Sequence, residues 1–273
     1  MGRPEEREPD HFRNLPQGHH RCADVLASRR VLFDTLPSML KHYKAVFFDV
    51  GGTLLRVHPS VGDVYATHAR DFGFTGSAVD LNREFKQEWS NMGGMESLGT
   101  QSGLTVERAF WKELVHRVFE ALGGLNDFDR YFNLIYDVFR NKESWRVFED
   151  VTESGLLDQL KSNGVVLGVI SNWDSRLPEI LKNTGLASYF DFILASTVVG
   201  SAKPDAGIFL EALKRAGVPP EQACHIGDEP ATDIEGARNV GISSILIDRK
   251  GHHQGDGITK VGSFHDLLGA GPA

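Results

Sequence analysis

Residues 44–54, Lys-Ala-Val-Phe-Phe-Asp-Val-Gly-Gly-Thr-Leu, carry an apolar run into Asp49 and then break into a glycine pair and a threonine. A short apolar run closed by a turn signal reads as a buried strand, and this one delivers a carboxylate to its C-terminal tip. Gly51 and Gly52 follow, and residues without a side chain let a ligand approach the backbone closely. One strand end of this kind is ordinary. Its meaning depends on what the rest of the chain brings beside it.

Outward from this segment the periodicity changes twice. Between Leu55 and about residue 148 it is helical: Val64 to Phe72, Leu81 to Trp89, Thr105 to Leu122 and Phe128 to Phe139 carry apolar residues at i, i+3 and i+4, with Gly93-Gly94 and Gly123-Gly124 in the loops. This spacing predicts an all-helical insertion whose aromatic residues between Phe110 and Phe139 form its own core. From Val151 onward, helix and strand alternate. The pattern predicts a helix to about Ser162, a strand over Val165 to Ile170, a helix over Pro178 to Thr184 that Asp174 and Ser175 cap, and a strand over Phe192 to Ala195. A helix over Ala206 to Ala216, a strand over Cys224 to Ile226, a helix over Thr232 to Asn239 and a strand over Ser244 to Ile247 follow. Such alternation implies an α/β fold, a parallel sheet with helices on both faces, and in that architecture ligands sit beyond the C-terminal ends of the strands.

Four strand ends supply a coherent set of side chains. The first gives Asp49, Gly51, Gly52 and Thr53; the second gives Ser171 and Asn172 directly after Val-Leu-Gly-Val-Ile. A third connection, Gly200 to Asp205, gives Lys203 ahead of Pro204, and the fourth runs from His225 through Gly227 and Asp228 to Asp233. Singly, each has an ordinary explanation. Asp49 suits a turn, Lys203 a solvated helix start, and Asp228 and Asp233 the first turn of a helix, where negative charge is favourable. Four such coincidences in order are harder to explain than one shared site.

In order, type and spacing, these strand ends resemble the four motifs of the haloacid dehalogenase-like (HAD) superfamily, apart from one residue. The first motif normally reads Asp, any residue, Asp, any residue, Thr, and here the second Asp is Gly51. The resemblance covers roughly residues 44 to 250 and is nearest to the group containing haloacid dehalogenase-like hydrolase domain-containing protein 3 and rhythmically expressed gene 2 protein. It implies a HAD-like, Rossmann-like core over 44–60 and 149–273, with a helical cap domain over 61–148. Residues 1–43 form a polar leader, disordered to about residue 21 and partly helical beyond, and Met39 fits an alternative start.

The resemblance also assigns roles. Asp49 is the nucleophile, a carboxylate able to displace an alkoxide from phosphorus and give an aspartyl-phosphate. Lys203, Ser171, Asn172, the Thr53 hydroxyl and the loop around Gly52 would surround the phosphoryl oxygens. Two anions in one small site repel, so a hard cation is expected. Mg²⁺ on Asp49, Asp228 and the Gly51 carbonyl fits, with Asp233 behind it orienting Lys203 or metal-bound water. The expected activity is a Mg²⁺-dependent phosphatase acting on a small phosphorylated molecule, without the carboxylate that protonates the leaving group. Arg56, His58, Tyr65, His68 and Arg70 are candidate substrate contacts, and His58 a candidate replacement acid. Dehalogenases and phosphonate-cleaving relatives also lack the second Asp; the latter would need a lysine such as Lys86 or Lys112. A scaffold that binds a phosphometabolite or a protein without turnover is a further alternative.

Composition bounds the partners. A formal net charge of -8 over 273 residues disfavours nucleic acid and anionic membranes, both of which call for a basic surface. Cys22 and Cys224 form no metal-ligand pattern, and no apolar stretch is long enough to span a bilayer. These features fit a reducing, cytoplasmic setting; protein partners and oligomeric state leave no signature.

Overall fold

The computed structural model describes residues 37–254 and 257–269, so the expected leader and Cys22 lie outside it except for a turn from Pro37 whose Leu40 packs into the core while Lys41 and His42 are exposed. The chain forms β1 (Ala45–Phe48), β2 (Leu55–Val57), then α1 (Val61–Ala69), α2 (Ala78–Met92), α3 (Leu104–Glu120) and α4 (Phe128–Val138). It returns through β3 (Trp145–Val147) to β4 (Val166–Ser171), α5 (Leu177–Asn183), β5 (Phe192–Ala195), α6 (Ala206–Ala216), β6 (Ala223–Gly227), β7 (Ser243–Ile247) and β8 (Lys260–Val261).

Six strands make one parallel sheet in the order β5-β4-β1-β6-β7-β8, with β1 near its centre. Alternating residues of β1 explain its unbroken apolar sequence: Val46 and Phe48 pack into the cluster on one face, Ala45 and Phe47 into that on the other. Phe48 lies level with Val169 of β4 and Ile226 of β6, so Asp49, Ser171 and Asp228 emerge along one edge of the sheet.

The stretch between β2 and β3 folds around its own cluster, which includes Tyr65, Leu114, Phe119 and Tyr131. Local signals set its helices. Ser60 and Ser77 accept hydrogen bonds from the Asp63 and Asp80 amides at the starts of α1 and α2, and Gly93 ends α2 in the left-handed conformation. The two chain crossings pair with each other: β2 and β3 form an antiparallel ladder with Arg56 opposite Arg146. Periodicity gives no sign of this ladder, because each strand is three residues long. Two other differences are local. The helix expected up to Ser162 breaks at Gly155, which has φ 67°, and the segment after Asp228 enters its helix through a π-turn over Pro230–Glu235. Among the described residues, no helix is long and apolar enough to cross a membrane.

Candidate active site

Asp49 sits at the tip of β1, 7 % exposed, and accepts hydrogen bonds on the same oxygen from Ser171 Oγ at 2.9 Å and Lys203 Nζ at 2.6 Å. Lys203 Nζ also reaches Asp233 Oδ1 at 2.5 Å, and Asp233 Oδ1 in turn accepts from His225 Nε2 at 2.9 Å. One buried ammonium thus bridges two carboxylates delivered by different strands. Burial opposes its charge, but Asp233 and Asp49 outweigh burial and hold the Lys203 pKa above its ordinary value. Burial also pushes Asp233 upward, yet Lys203 and His225 overcome it, leaving that carboxyl well below the usual range. For Asp49 the balance goes the other way: burial lifts its pKa despite Lys203. His225, wholly buried against Phe209, has its pKa lowered by burial, so its neutral ring donates through Nε2.

Asp228 completes the acidic group. Asp49, Asp228 and Asp233 each offer an oxygen within 4.8 Å of the others. Burial, aided by the charges of Asp49 and Asp233, pushes the Asp228 carboxyl up to about 8. With all three ionised, the carboxylates would outnumber the one lysine that Asp49 and Asp233 share, and a hard divalent cation is the partner this donor set fits. Two glycines make the cluster possible. A Cβ on Gly52, which has φ +83°, would stand 2.1 Å from Asp228 Oδ2, and one on Gly227 would stand 2.2 Å from Asp233 Cγ.

Some expected residues occupy other roles. Thr53 is fully buried and its hydroxyl donates to Asp228 Oδ1 at 2.9 Å, so it holds a carboxylate instead of facing a ligand. Asn172 clamps the backbone of Lys203 by accepting from its N–H and donating to its carbonyl. Ser171, Gly51, Gly52 and Lys203 line a cavity of about 640 Å³ between the sheet edge and the helical insertion. Of the proposed substrate contacts, Arg56 and Tyr65 line this cavity. His58 instead meets Arg146, and His68 bonds the Val64 carbonyl on its own helix. Arg70 also lies outside the lining. Lys86 lines the cavity, whereas Lys112 pairs with Asp129.

Asp174 and Ser175 do not cap α5. Asp174 binds Arg176 through both oxygens and accepts Trp111 Nε1 at 2.6 Å, while Ser175 donates through N–H and hydroxyl to Glu107. Glu107, 1 % exposed on α3, also accepts from Thr197. These bonds join the insertion to the segments after β4 and β5; a lone Glu in an amphipathic helix gives no warning of them. Glu96, from the turn after α2, is likewise brought to Asn172 at 2.7 Å. Arg249 was legible in principle, since it stands two residues beyond β7. Its guanidinium donates to the Gly52 and Thr53 carbonyls at 2.7 and 2.9 Å, pairs with Asp150, and lies 3.9 Å from the Phe148 ring centroid.

A family sequence model described as "haloacid dehalogenase-like hydrolase" matches residues 43–241, spanning all four strand ends. The chain belongs to the haloacid dehalogenase-like hydrolases. Haloacid dehalogenase-like hydrolase domain-containing protein 3 of Mus musculus is 35% identical over 204 residues, covering 73% of this chain and 80% of that protein. A phosphoserine phosphatase of Thermus thermophilus is 32% identical over 157 residues, 57% of this chain and 59% of the relative. The crystal structure of a HAD phosphatase from Thermococcus onnurineus superposes with a TM-score of 0.60 at 24% identity, covering 82% of this chain and 95% of the other. The six-stranded parallel core is therefore the HAD fold.

Proposed function

We propose that this HAD-like hydrolase is a Mg²⁺-dependent phosphatase that works through an aspartyl-phosphate on Asp49 and takes a small phosphorylated molecule. The observation that carries the reading is Lys203, fixed between Asp49 and Asp233 with Ser171 on the same Asp49 oxygen. Its fixed charge and the Ser171 hydroxyl are placed to meet the equatorial oxygens of a phosphoryl group as Asp49 attacks. Asp49 and Asp228, with the Gly51 carbonyl, would hold Mg²⁺, which when bound neutralises charge on those oxygens. Asp233 positions Lys203, and the helical insertion acts as a cap that excludes water from the cavity.

The relationship to a phosphoserine phosphatase supports phosphoryl chemistry, and the Asp228 carboxylate held by Thr53 has little purpose in a metal-free dehalogenase. Gly51 removes one step, proton donation to the leaving group. General acid assistance is typically worth about 10² to 10⁴ in rate. A panel of acyl and alkyl phosphates assayed with Mg²⁺, using the parent protein, Asp49→Asn and Gly51→Asp, tests the reading. Asp49→Asn should abolish turnover, and Gly51→Asp should selectively accelerate alkyl phosphates. Two variants indistinguishable from the parent would sink the catalytic reading.

A further inference from the structure

The place of the missing acid lies beside an aromatic ring. A Cβ on Gly51 would stand 3.4 Å from Cζ3 of Trp173, the residue directly after the Ser171-Asn172 pair. Trp145 from β3 lies against Trp173 with ring centroids 5.2 Å apart at an angle of 49°. Both rings line the cavity that Asp49 also lines, as do Trp89 and Trp111, whose centroids are 5.7 Å apart. The polar ends of two of these indoles are occupied elsewhere: Trp145 Nε1 donates to the Phe139 carbonyl and Trp111 Nε1 to Asp174. Arg176, also at the cavity wall, has its guanidinium bound to Asp174 and to the Tyr136 carbonyl. Arg56, Lys86, Glu96 and Glu229 also reach the lining, but the four indoles with Phe85, Phe132 and Phe139 make ring carbon a large part of what meets a substrate beyond its phosphoryl group. A sugar hydroxyl pressed against an indole face loses its hydrogen bond to water, whereas a flat apolar group gains contact area and ring stacking there.

Resting on the phosphatase reading, we infer that the substrate is an aryl phosphate, a phosphate monoester of a phenolic or larger flat aromatic alcohol, with Trp173 and Trp145 reading the leaving group. The chemistry agrees with the absence of a second carboxylate. An Asp49 oxygen forms a bond to phosphorus while the phosphorus–oxygen bond to the aryl group breaks, and the electron pair leaves on an aryloxide that takes its proton from water. A phenol with a pKa of about 10 departs in this way without a general acid, unlike an alkoxide. Water then attacks the aspartyl-phosphate, releasing inorganic phosphate and restoring the Asp49 carboxylate, so the net reaction is hydrolysis.

The test is a comparison of kcat/KM for 1-naphthyl phosphate, acetyl phosphate and 2-(1-naphthyl)ethyl phosphate with Mg²⁺, in the parent protein, Trp145→Phe, Trp145→Ala and Trp173→Leu. The parent should favour naphthyl phosphate over the naphthylethyl ester by about 10² or more, because only the former leaves as a phenolate. The naphthyl-to-acetyl ratio should fall about tenfold in Trp145→Ala and Trp173→Leu and recover in Trp145→Phe, the size expected from lost stacking and ring burial. Asp49-dependent turnover of acetyl phosphate with no aryl preference, or a ratio indifferent to both tryptophans, would overturn the aryl assignment and leave the phosphatase reading standing. No Mg²⁺-dependent turnover of any of the three phosphates would overturn both.

Discussion

Replacing Arg249 by Met should loosen the loop that follows the nucleophile. The guanidinium ties together the Gly52 and Thr53 carbonyls, the Asp150 carboxylate and the Phe148 ring, and the pair is only 18% and 14% exposed. Met retains volume but leaves two carbonyls and a carboxylate short of donors; Asp150 keeps the Phe264 amide at 2.9 Å. Removing one partner of a fully buried ion pair costs about 3 to 5 kcal/mol, and the residual exposure here places Arg249→Met at roughly 2 to 4 kcal/mol. For a domain of this size that is a fall in Tm of roughly 5 to 15 °C. Thermal and urea unfolding should be read together with acyl phosphate kinetics. The kinetics should show kcat falling more than KM rises, because the displaced loop carries Thr53, the donor to Asp228. Asp150→Asn should weaken the same assembly, and the double variant should be less damaged than the sum of the singles. A Tm within about 1 °C of the parent, with kcat intact, would refute the claim that Arg249 holds this loop.

Two other predictions concern the acidic cluster. Gly52→Ala forces a Cβ into the space of Asp228 Oδ2 at a residue with φ +83°, so Mg²⁺ binding by titration calorimetry should weaken at least tenfold; unchanged affinity would mean that Asp228 is not a ligand. The Asp228 carboxyl, pushed up to about 8, contributes stability that is full below its unfolded-state pKa near 4 and is lost as pH rises through 8. Mg²⁺ binds the ionised form, so the rise in Tm on adding saturating Mg²⁺ should be larger at pH 9 than at pH 6. A rise that shrinks with pH would contradict this placement of the cation.

What the sequence disclosed follows the range of its signals. The β1 run, the alternation after Val151 and the four helical periods are local patterns, and the sheet and insertion follow them closely. Asp49, Lys203, Asp228 and Asp233 were legible because strand ends in a parallel sheet converge. Thr53 was misplaced because spacing does not say which way a hydroxyl turns, and here it turns to Asp228. Asp174 reads as a cap since Asp before a helix usually is one, but the Arg176 guanidinium two residues on takes both its oxygens, and Trp111, 63 residues earlier and beyond the reach of any local rule, takes one of them too. Trp173 carries no signal in the sequence, because nothing local says that its ring lies beside Gly51.

The β2–β3 ladder has a consequence for how such proteins diversify. The chain leaves the core and re-enters it side by side, through three paired residues on each strand. The covalent link between core and insertion is this one doubled attachment, while Glu96, Glu107 and Trp111 add side-chain bonds to the core loops, so an exchange of the intervening helices keeps the order of strands in the sheet but must replace those bonds. Trp145 stands on the attachment itself, so the ring that meets Trp173 is held by the junction and not by the helices.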